Sequence, residues 1–317
     1  MFSPQTEWTP PDELKDLSQA KQIAIDLETR DPNLTTRGSG SVRDDGEIVG
    51  IAVAVEGWSG YFPIAHEGGG NIDKKIVLNW FKDVLQTPAT KIFHNAMYDV
   101  SWIRALGFKI EGRIVDTMIA GSLVNENRLR YNLNSLAKEY VGMGKNEKIL
   151  FEAAKEWGVN PKKEMWRLPA MHVGEYAEQD AVATLKLWER LQQEITAQDL
   201  WDIFNVETEL FPCLVDMKFK GVRVDLEKAH KIKKDLMKEE KQFLQKVKKE
   251  TNLEVEIWAA ASIAKVFDKL KLPYDRTATG APSFTKNFLS QHPNETAQAI
   301  AQAREINKAH TTFIDTI

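Results

Sequence analysis

Two hydrophobic periodicities follow one another along this chain, and their order restricts the architectures open to it. Up to about residue 193, short apolar runs bounded by turn residues alternate with helix-spaced segments, and beyond it only the helical spacing persists. Residues 22–28 (QIAIDLE), 49–55 (VGIAVAV), 61–65 (YFPIA) and 91–94 read as strands. Residues 31–47, DPNLTTRGSGSVRDDGE, are turn chemistry throughout and read as a loop. Asp73 can cap a helix reaching Leu85, with Ile76, Val77, Trp80, Phe81 and Val84 on one face. A second helix passes through Tyr98, Trp102 and Leu106 and stops at Gly107, and further helices are expected over 116–123, 133–141, 147–157 and 174–191. Strands first and helices after imply an α/β domain, a mixed sheet with helices packed on it.

The remainder predicts helices only. One continuous helix is expected over 195–219, ended by Gly221, then an extended VRVD piece and a lysine-rich helix over 226–250. In that helix Ala229, Ile232, Leu236, Phe243 and Val247 keep one apolar stripe. Further helices are expected over 261–270, 285–291 and 295–316. A chain of 317 residues fits two domains, divided here as 1–193 and 194–317.

No apolar run approaches the ~18 residues of a membrane span, and the start, MFSPQTEWTPPDEL, is polar and proline-rich without a signal segment. The single cysteine, Cys213, rules out an internal disulfide and a cysteine-built zinc site. A reducing, cytoplasmic location without membrane contact is the expectation. The net charge is −4, yet residues 218–249 hold twelve Lys/Arg against five Asp/Glu, a local +7. Such a segment can neutralise phosphates, although a solvated helix face explains it equally well.

Three acidic features stand out. Asp26 and Glu28, two apart on the first strand, project from one face. Two such carboxylates repel, and a divalent cation would relieve them; alone, they read better as the solvent side of an amphipathic strand with Ile23, Ile25 and Leu27 inward. Asp99, in FHNAMYDVSWI, lies about a turn into a helix that Asn95 can cap, and alone reads as a dipole residue. Tyr176 and Asp180, at i and i+4 in GEYAEQDAVATLKLW, share a helix face that is otherwise apolar. Burying that pair unpartnered is expensive; a metal, a substrate or a mutual hydrogen bond would each relieve it. Asp116 reads as a helix cap, His94 and His172 as structural hydrogen-bonding residues, and the triple glycine 68–70 as a turn rather than a phosphate loop.

In combination, D-x-E on a first strand, N-x-x-x-D at a strand–helix junction and Y-x-x-x-D on a later helix resemble the DEDD exonuclease superfamily, tyrosine branch. IAIDLET, FHNAMYD, IVDTMIAGSLVNEN, YNLNSLAKEYVG and EYAEQDAVATLKLW resemble the proofreading exonuclease domain of family A DNA polymerases, and YFPIAHEGGGN looks like its bacteriophage members. The likeness covers about residues 20–193. Beyond it, ETELFPCLVDMKFKGVRVD resembles the connector to the polymerase, and IAKVFDKLKLP, TATGAPSFT and REINKAHTTFIDT resemble the thumb that grips duplex DNA. The chain has IWAAASIAKVF where that family usually starts the thumb helix with Asn-x-x-Ser, so no contact is carried over to Trp258.

This resemblance implies a ribonuclease H-like mixed sheet with flanking helices, followed by a mostly helical thumb-like region. It implies a 3′→5′ exonuclease that shortens DNA 3′ ends to nucleoside 5′-monophosphates with two Mg²⁺ or Mn²⁺ ions. Asp26, Glu28 and Asp180 would hold the first ion, Asp26 would bridge to the second, and Asp99 would reach that one through water, with Tyr176 orienting the attacking water. Asn95, Leu34 and Thr29 would touch the terminal nucleotide. Lys231, Lys234, Lys238, Thr277, Thr279 and Ser283 would contact DNA in the thumb-like part. Expected partners are a single-stranded 3′ end and primer–template duplex; palm and fingers are not found here, so polymerisation by this chain alone is not expected, and either the chain is the front fragment of a longer polymerase or a separate partner chain carries them. A phage source would place the protein in the cytoplasm of a bacterial host. The alternatives are a ribonuclease D-like RNA-trimming enzyme and a non-enzymatic DNA-binding module of a split polymerase.

Overall fold

The protein is described here from a computed structural model covering residues 6–144 and 146–316. Contacts divide the chain into two compact units, Met1–Gly221 and Val222–Ile317. The first runs β1 (Gln22–Arg30), α1 (Leu34–Arg37), α2 (Gly40–Arg43), β2 (Glu47–Val55), β3 (Trp58–Pro63), α3 (Lys74–Leu85), β4 (Thr90–Phe93), α4 (Ala96–Ala105), β5 (Ile114–Asp116), α5 (Thr117–Val124), α6 (Leu133–Val141), α7 (Lys148–Trp157), α8 (Gly174–Ala197) and α9 (Trp201–Lys220). Its sheet has the order β3-β2-β1-β4-β5. The β1–β2 and β2–β3 pairs are antiparallel, and β4 and β5 join in parallel, so the sheet is mixed as expected.

β1 lies at the centre and is covered on both faces. Ile23, Ile25 and Leu27 pack with Val77 and Phe81 of α3 and Val100 and Ile103 of α4. Ala24 points the other way, into a cluster with Ala177 and Ala181 of α8 and Leu136 of α6. With a side-chain period of two, Asp26 and Glu28 follow Ala24 onto the α8 face. Taken alone, their alternation favoured a solvent face; α8 overturns that reading. A bulge between Glu28 and Thr29 shifts the β1–β2 register just past the acidic pair, the kind of irregularity that re-aims side chains at a strand end.

Other differences have local causes. The 31–47 segment, read as a loop, contains the one-turn helices α1 and α2, and Asp31 accepts from the Gly40 N–H at 3.0 Å. The expected single helix over 195–219 is broken, because Asp199 takes a left-handed conformation (φ 55°) between α8 and α9. That break lets Phe204 stack on Trp188, ring centroids 5.3 Å apart, with Trp201 edge-on to both. A boundary at 193 would therefore fall inside α8, whereas the compact unit retains α9, whose Phe204, Phe211 and Val215 are buried in its two clusters. Lys91, at the start of an expected strand, is wholly buried; its ammonium donates to Thr87 O, to Thr87 Oγ1 at 3.1 Å and to Glu111 O at 2.8 Å, and burial pushes its pKa down to about 8.

The second unit comprises α10 (Leu226–Thr251), α11 (Ala260–Leu270), the hairpin β6 (Asp275–Arg276) and β7 (Pro282–Ser283), α12 (Lys286–Ser290) and α13 (Glu295–Lys308), which widens into π-helical turns over Ala309–Ile314. Val247, Ile263, Phe267, Phe284, Leu289 and Ile300 form its core. The stripe expected along α10 holds only in its C-terminal half, where Phe243 and Val247 pack; Ile232 is exposed. Among the described residues no helix is long and apolar enough to cross a membrane.

Candidate active site

Local backbone chemistry delivers four carboxylates to one region of the first unit. β1 presents Asp26 and Glu28 beneath α8, and α4 brings Asp99 to the same strand. The Oδ1 of Asp99 accepts the backbone N–H of Leu27 at 3.0 Å, between the two β1 acids. Asp99 is buried, and burial first, then the charge of Asp26, push its carboxyl well above the usual range, opposed by the Leu27 hydrogen bond.

The turn into α4 is not capped as the sequence implied. Asn95 stands at the N-cap position in a left-handed conformation (φ 64°) and makes no side-chain cap. Asp116, at the end of β5, caps from outside: its carboxylate accepts Asn95 N at 2.9 Å and Ala96 N at 2.8 Å, besides Met118 N at 2.8 Å at the start of its own helix α5. A buried carboxylate thus satisfies donors of two helices and fixes where α4, with Asp99, begins.

On α8, Tyr176 and Asp180 are both buried and hydrogen-bonded to each other through their side chains. Burial first, then the charges of Asp180, Glu28 and Asp26, push the phenol far above its ordinary value. The same two acids act on β3: Tyr61, wholly buried, is raised by burial and then by Glu28 and Asp26. The five residues expected to form one site therefore lie together, in two linked groups, Asp26 with Asp99 and Tyr176 with Asp180, Glu28 and Asp26.

The residues expected to touch a terminal nucleotide are partly assembled. Thr29 Oγ1 and the Tyr98 hydroxyl are 2.5 Å apart, and Thr29, Leu34 and Tyr98 line a cavity of about 110 Å³ with Asp31, Lys162 and Lys163. Leu34 and Asn95 are exposed; Asn95 does not line that cavity. Tyr98, Asp31 and Lys162 carried no signal in the sequence reading. In the second unit, Lys231, Lys234 and Lys238 are exposed on α10. Thr277 and Thr279 share a 2.9 Å hydroxyl contact in the hairpin turn that leads to Ser283 on β7. His94 Nδ1 lies 2.8 Å from Thr117 Oγ1, a structural contact as expected.

A central mixed sheet with acids on its first strand, facing a tyrosine–aspartate helix and flanked by further helices, is a ribonuclease H-like architecture. The family profile described as 3′-5′ exonuclease, that of family A DNA polymerases, matches residues 2–196, and the chain belongs to that family. It is 33% identical to a DNA-directed DNA polymerase of Pseudomonas phage M6 over 98% of this chain and 48% of the relative. It is 27% identical to DNA polymerase I of Pseudomonas aeruginosa over 95% of this chain and 33% of that one. The chain thus spans about half the length of the phage relative or less of the curated relatives it matches. Its fold matches the POL domain of Pol1 from M. smegmatis, solved with DNA primer-template and dNTP, at a TM-score of 0.66 and 16% identity, over 94% of this chain and 46% of that one.

Proposed function

We propose that this 3′-5′ exonuclease domain removes nucleotides one at a time from the 3′ end of DNA, as the proofreading part of a phage-type polymerase, using Mg²⁺ or Mn²⁺ held by Asp26, Glu28, Asp99 and Asp180. The observation that carries it is the buried Asp99 carboxylate bonded to the Leu27 N–H between Asp26 and Glu28, where burial and like charge both oppose its ionisation. An all-oxygen donor set in that state suits a hard divalent cation, which removes the repulsion. Among the described residues no three His, Cys, Asp or Glu side chains close on one point tightly enough to hold an ion as they stand, so binding would draw the carboxylates inward. A pair of such ions, when bound, neutralises charge building on the reacting phosphate and makes the attacking water easier to ionise.

The protein's own groups do the positioning. Leu27 N–H fixes one oxygen of Asp99 against β1. Tyr176 stays protonated, since burial and three carboxylates oppose its ionisation, and so orients the attacking water rather than deprotonating it. Thr29 and Leu34, from the cavity they share, and the exposed Asn95 contact the terminal nucleotide. In the second unit, read as thumb-like, Lys231, Lys234, Lys238, Thr277, Thr279 and Ser283 contact the duplex; exposed lysines on one helix supply the phosphate-neutralising charge.

The test is a 5′-labelled DNA strand with Mg²⁺, run beside RNA and beside the D26A/E28A variant. Stepwise shortening of DNA that EDTA and the double substitution abolish is expected. Shortening of RNA alone would overturn the DNA assignment, and no shortening of either would overturn the activity.

A further inference from the structure

We propose that Lys162 is a substrate-binding residue of this site, its ammonium leaving Glu147 to take a phosphate of the incoming 3′ end. The inference rests on the exonuclease reading above. A centre built from four carboxylates repels a polyanion, so the approach needs a cation close by. Lys162 supplies one: its Nζ lies 5.3 Å from the ring centroid of Tyr176 and 5.6 Å from that of Phe151, in ion-pair contact with Glu147. Its side chain also lines the cavity shared with Tyr98 and with Thr29 and Leu34, two of the residues assigned to the terminal nucleotide. One ammonium therefore borders both the site tyrosine and the nucleotide cavity.

The partner it holds in the absence of DNA is easily given up. The Lys162 side chain is 49% exposed and that of Glu147 is 27% exposed, and ion pairs in such surroundings contribute little. Glu147 sits at the N-cap position of α7 without capping it by its side chain, so losing the lysine leaves the helix start unchanged. Neighbouring residues hold α7 independently: Asn146 N donates to Gln179 Oε1 at 2.9 Å and Asn146 Nδ2 to Glu175 Oε1 at 3.1 Å, both on α8. The two aromatic rings keep the ammonium at the site whichever anion it pairs with.

The experiment compares wild type, K162Q, K162R, E147Q and K155Q, the last removing an exposed charge elsewhere on α7, in steady-state hydrolysis of 5′-labelled single-stranded DNA over a range of salt. K162Q is expected to raise KM roughly tenfold and to lower the slope of log KM against log salt by about 0.7, one phosphate contact on a single strand. K162R should restore most of the affinity, K155Q should match wild type, and E147Q, which removes the competing anion, should leave KM at or below the wild-type value. If E147Q raises KM as K162Q does, the pair is a loop tether and the proposal fails; it fails equally if K162Q and K155Q behave alike. Inactive wild type would instead sink the exonuclease reading itself, and this proposal with it.

Discussion

The carboxylate of Asp99 is anchored to the backbone N–H of Leu27, 3.0 Å away, and that bond registers α4 against the strand residue lying between Asp26 and Glu28. It separates two properties of Asp99, an acceptor that positions it and a charge that the fold opposes. Asp99→Asn keeps an acceptor for Leu27 and removes the charge. Melting in EDTA is expected to be unchanged or a few degrees higher, because a buried like-charge contact is gone, whereas Mg²⁺-dependent activity should fall by roughly 10²-fold or more. Asp99→Ala, lacking both, should lose activity and stability together. A D99N protein less stable than D99A would contradict this division.

Tyr176 offers a kinetic counterpart. Its phenol is held protonated by burial and by Asp180, Glu28 and Asp26, so it should contribute no ionisation to the pH–rate profile. Tyr176→Phe is expected to lower kcat by about 10- to 100-fold with little change in KM. The profile between pH 6 and 9 should keep its shape. Disappearance of a basic limb on substitution would show instead that the phenol titrates and acts as a base.

How much of this was legible in the chain depends on range. The alternation of Ile23, Ile25 and Leu27 with Ala24, Asp26 and Glu28 fixes which residues share a face of β1, but not what covers that face, because one-sided burial and a helix supplied from far downstream give the same local pattern. Asn95 carried the usual cap signal, yet its left-handed backbone is not the extended one from which a side chain reaches back, and Asp116 takes the role across the sheet. β5 has three residues, too few for a period to show. Lys162 lies in NPKKEMW, which reads only as a turn; its contact with Tyr176 exists only after α7 and α8 have packed. The five candidate residues were legible only through their order as a set: alone, Asp26, Glu28 and Asp99 favoured bland roles, and the Tyr176–Asp180 pair left metal, substrate and mutual hydrogen bond open.

Asp116 invites a stability test that also reports on the site. It is buried, and three N–H groups donate to it, at Asn95, Ala96 and Met118. Asp116→Ala strands those donors and should cost about 2–4 kcal/mol in denaturant unfolding. With the start of α4 loosened, activity should fall as well, and Asp116→Asn, retaining an acceptor, should recover part of both. An active, fully stable D116A would show that α4 is positioned by packing alone.

His66 predicts the acid limb of stability. Its ring is buried between the Tyr61 hydroxyl, 2.6 Å from Nε2, and Leu168 O, 3.0 Å from Nδ1, and burial depresses its pKa to about 4. The folded state therefore binds the proton less readily than the unfolded chain, whose value is near 6.5. This contribution is fully present above pH ~6.5 and is lost as pH falls towards ~4, amounting to about 3 kcal/mol. Because carboxylates titrate at the lower end of that window, the measurement is a difference: urea unfolding of wild type and His66→Gln across it. The variant should be less stable at neutral pH and show a shallower decline, and parallel curves would remove His66 as the cause.

Gly50 connects that buried pair to the acidic strand. It stands opposite Glu28 in the β1–β2 register, and a Cβ there would lie 1.9 Å from the Tyr61 hydroxyl and 2.1 Å from its ring carbon. Tyr61 has no room to retreat, being wholly buried and bonded to His66. Gly50→Ala should therefore destabilise by about 1–3 kcal/mol or more through overpacking, and should lower activity by displacing β1 at Glu28. Removing only the hydroxyl in G50A/Y61F leaves the ring clash and should rescue little, whereas G50A/Y61L should be more stable than the sum of its single substitutions, the non-additivity expected of residues in contact. Strict additivity in that cycle would mean that Gly50 is required for its backbone and not for the space it leaves to Tyr61.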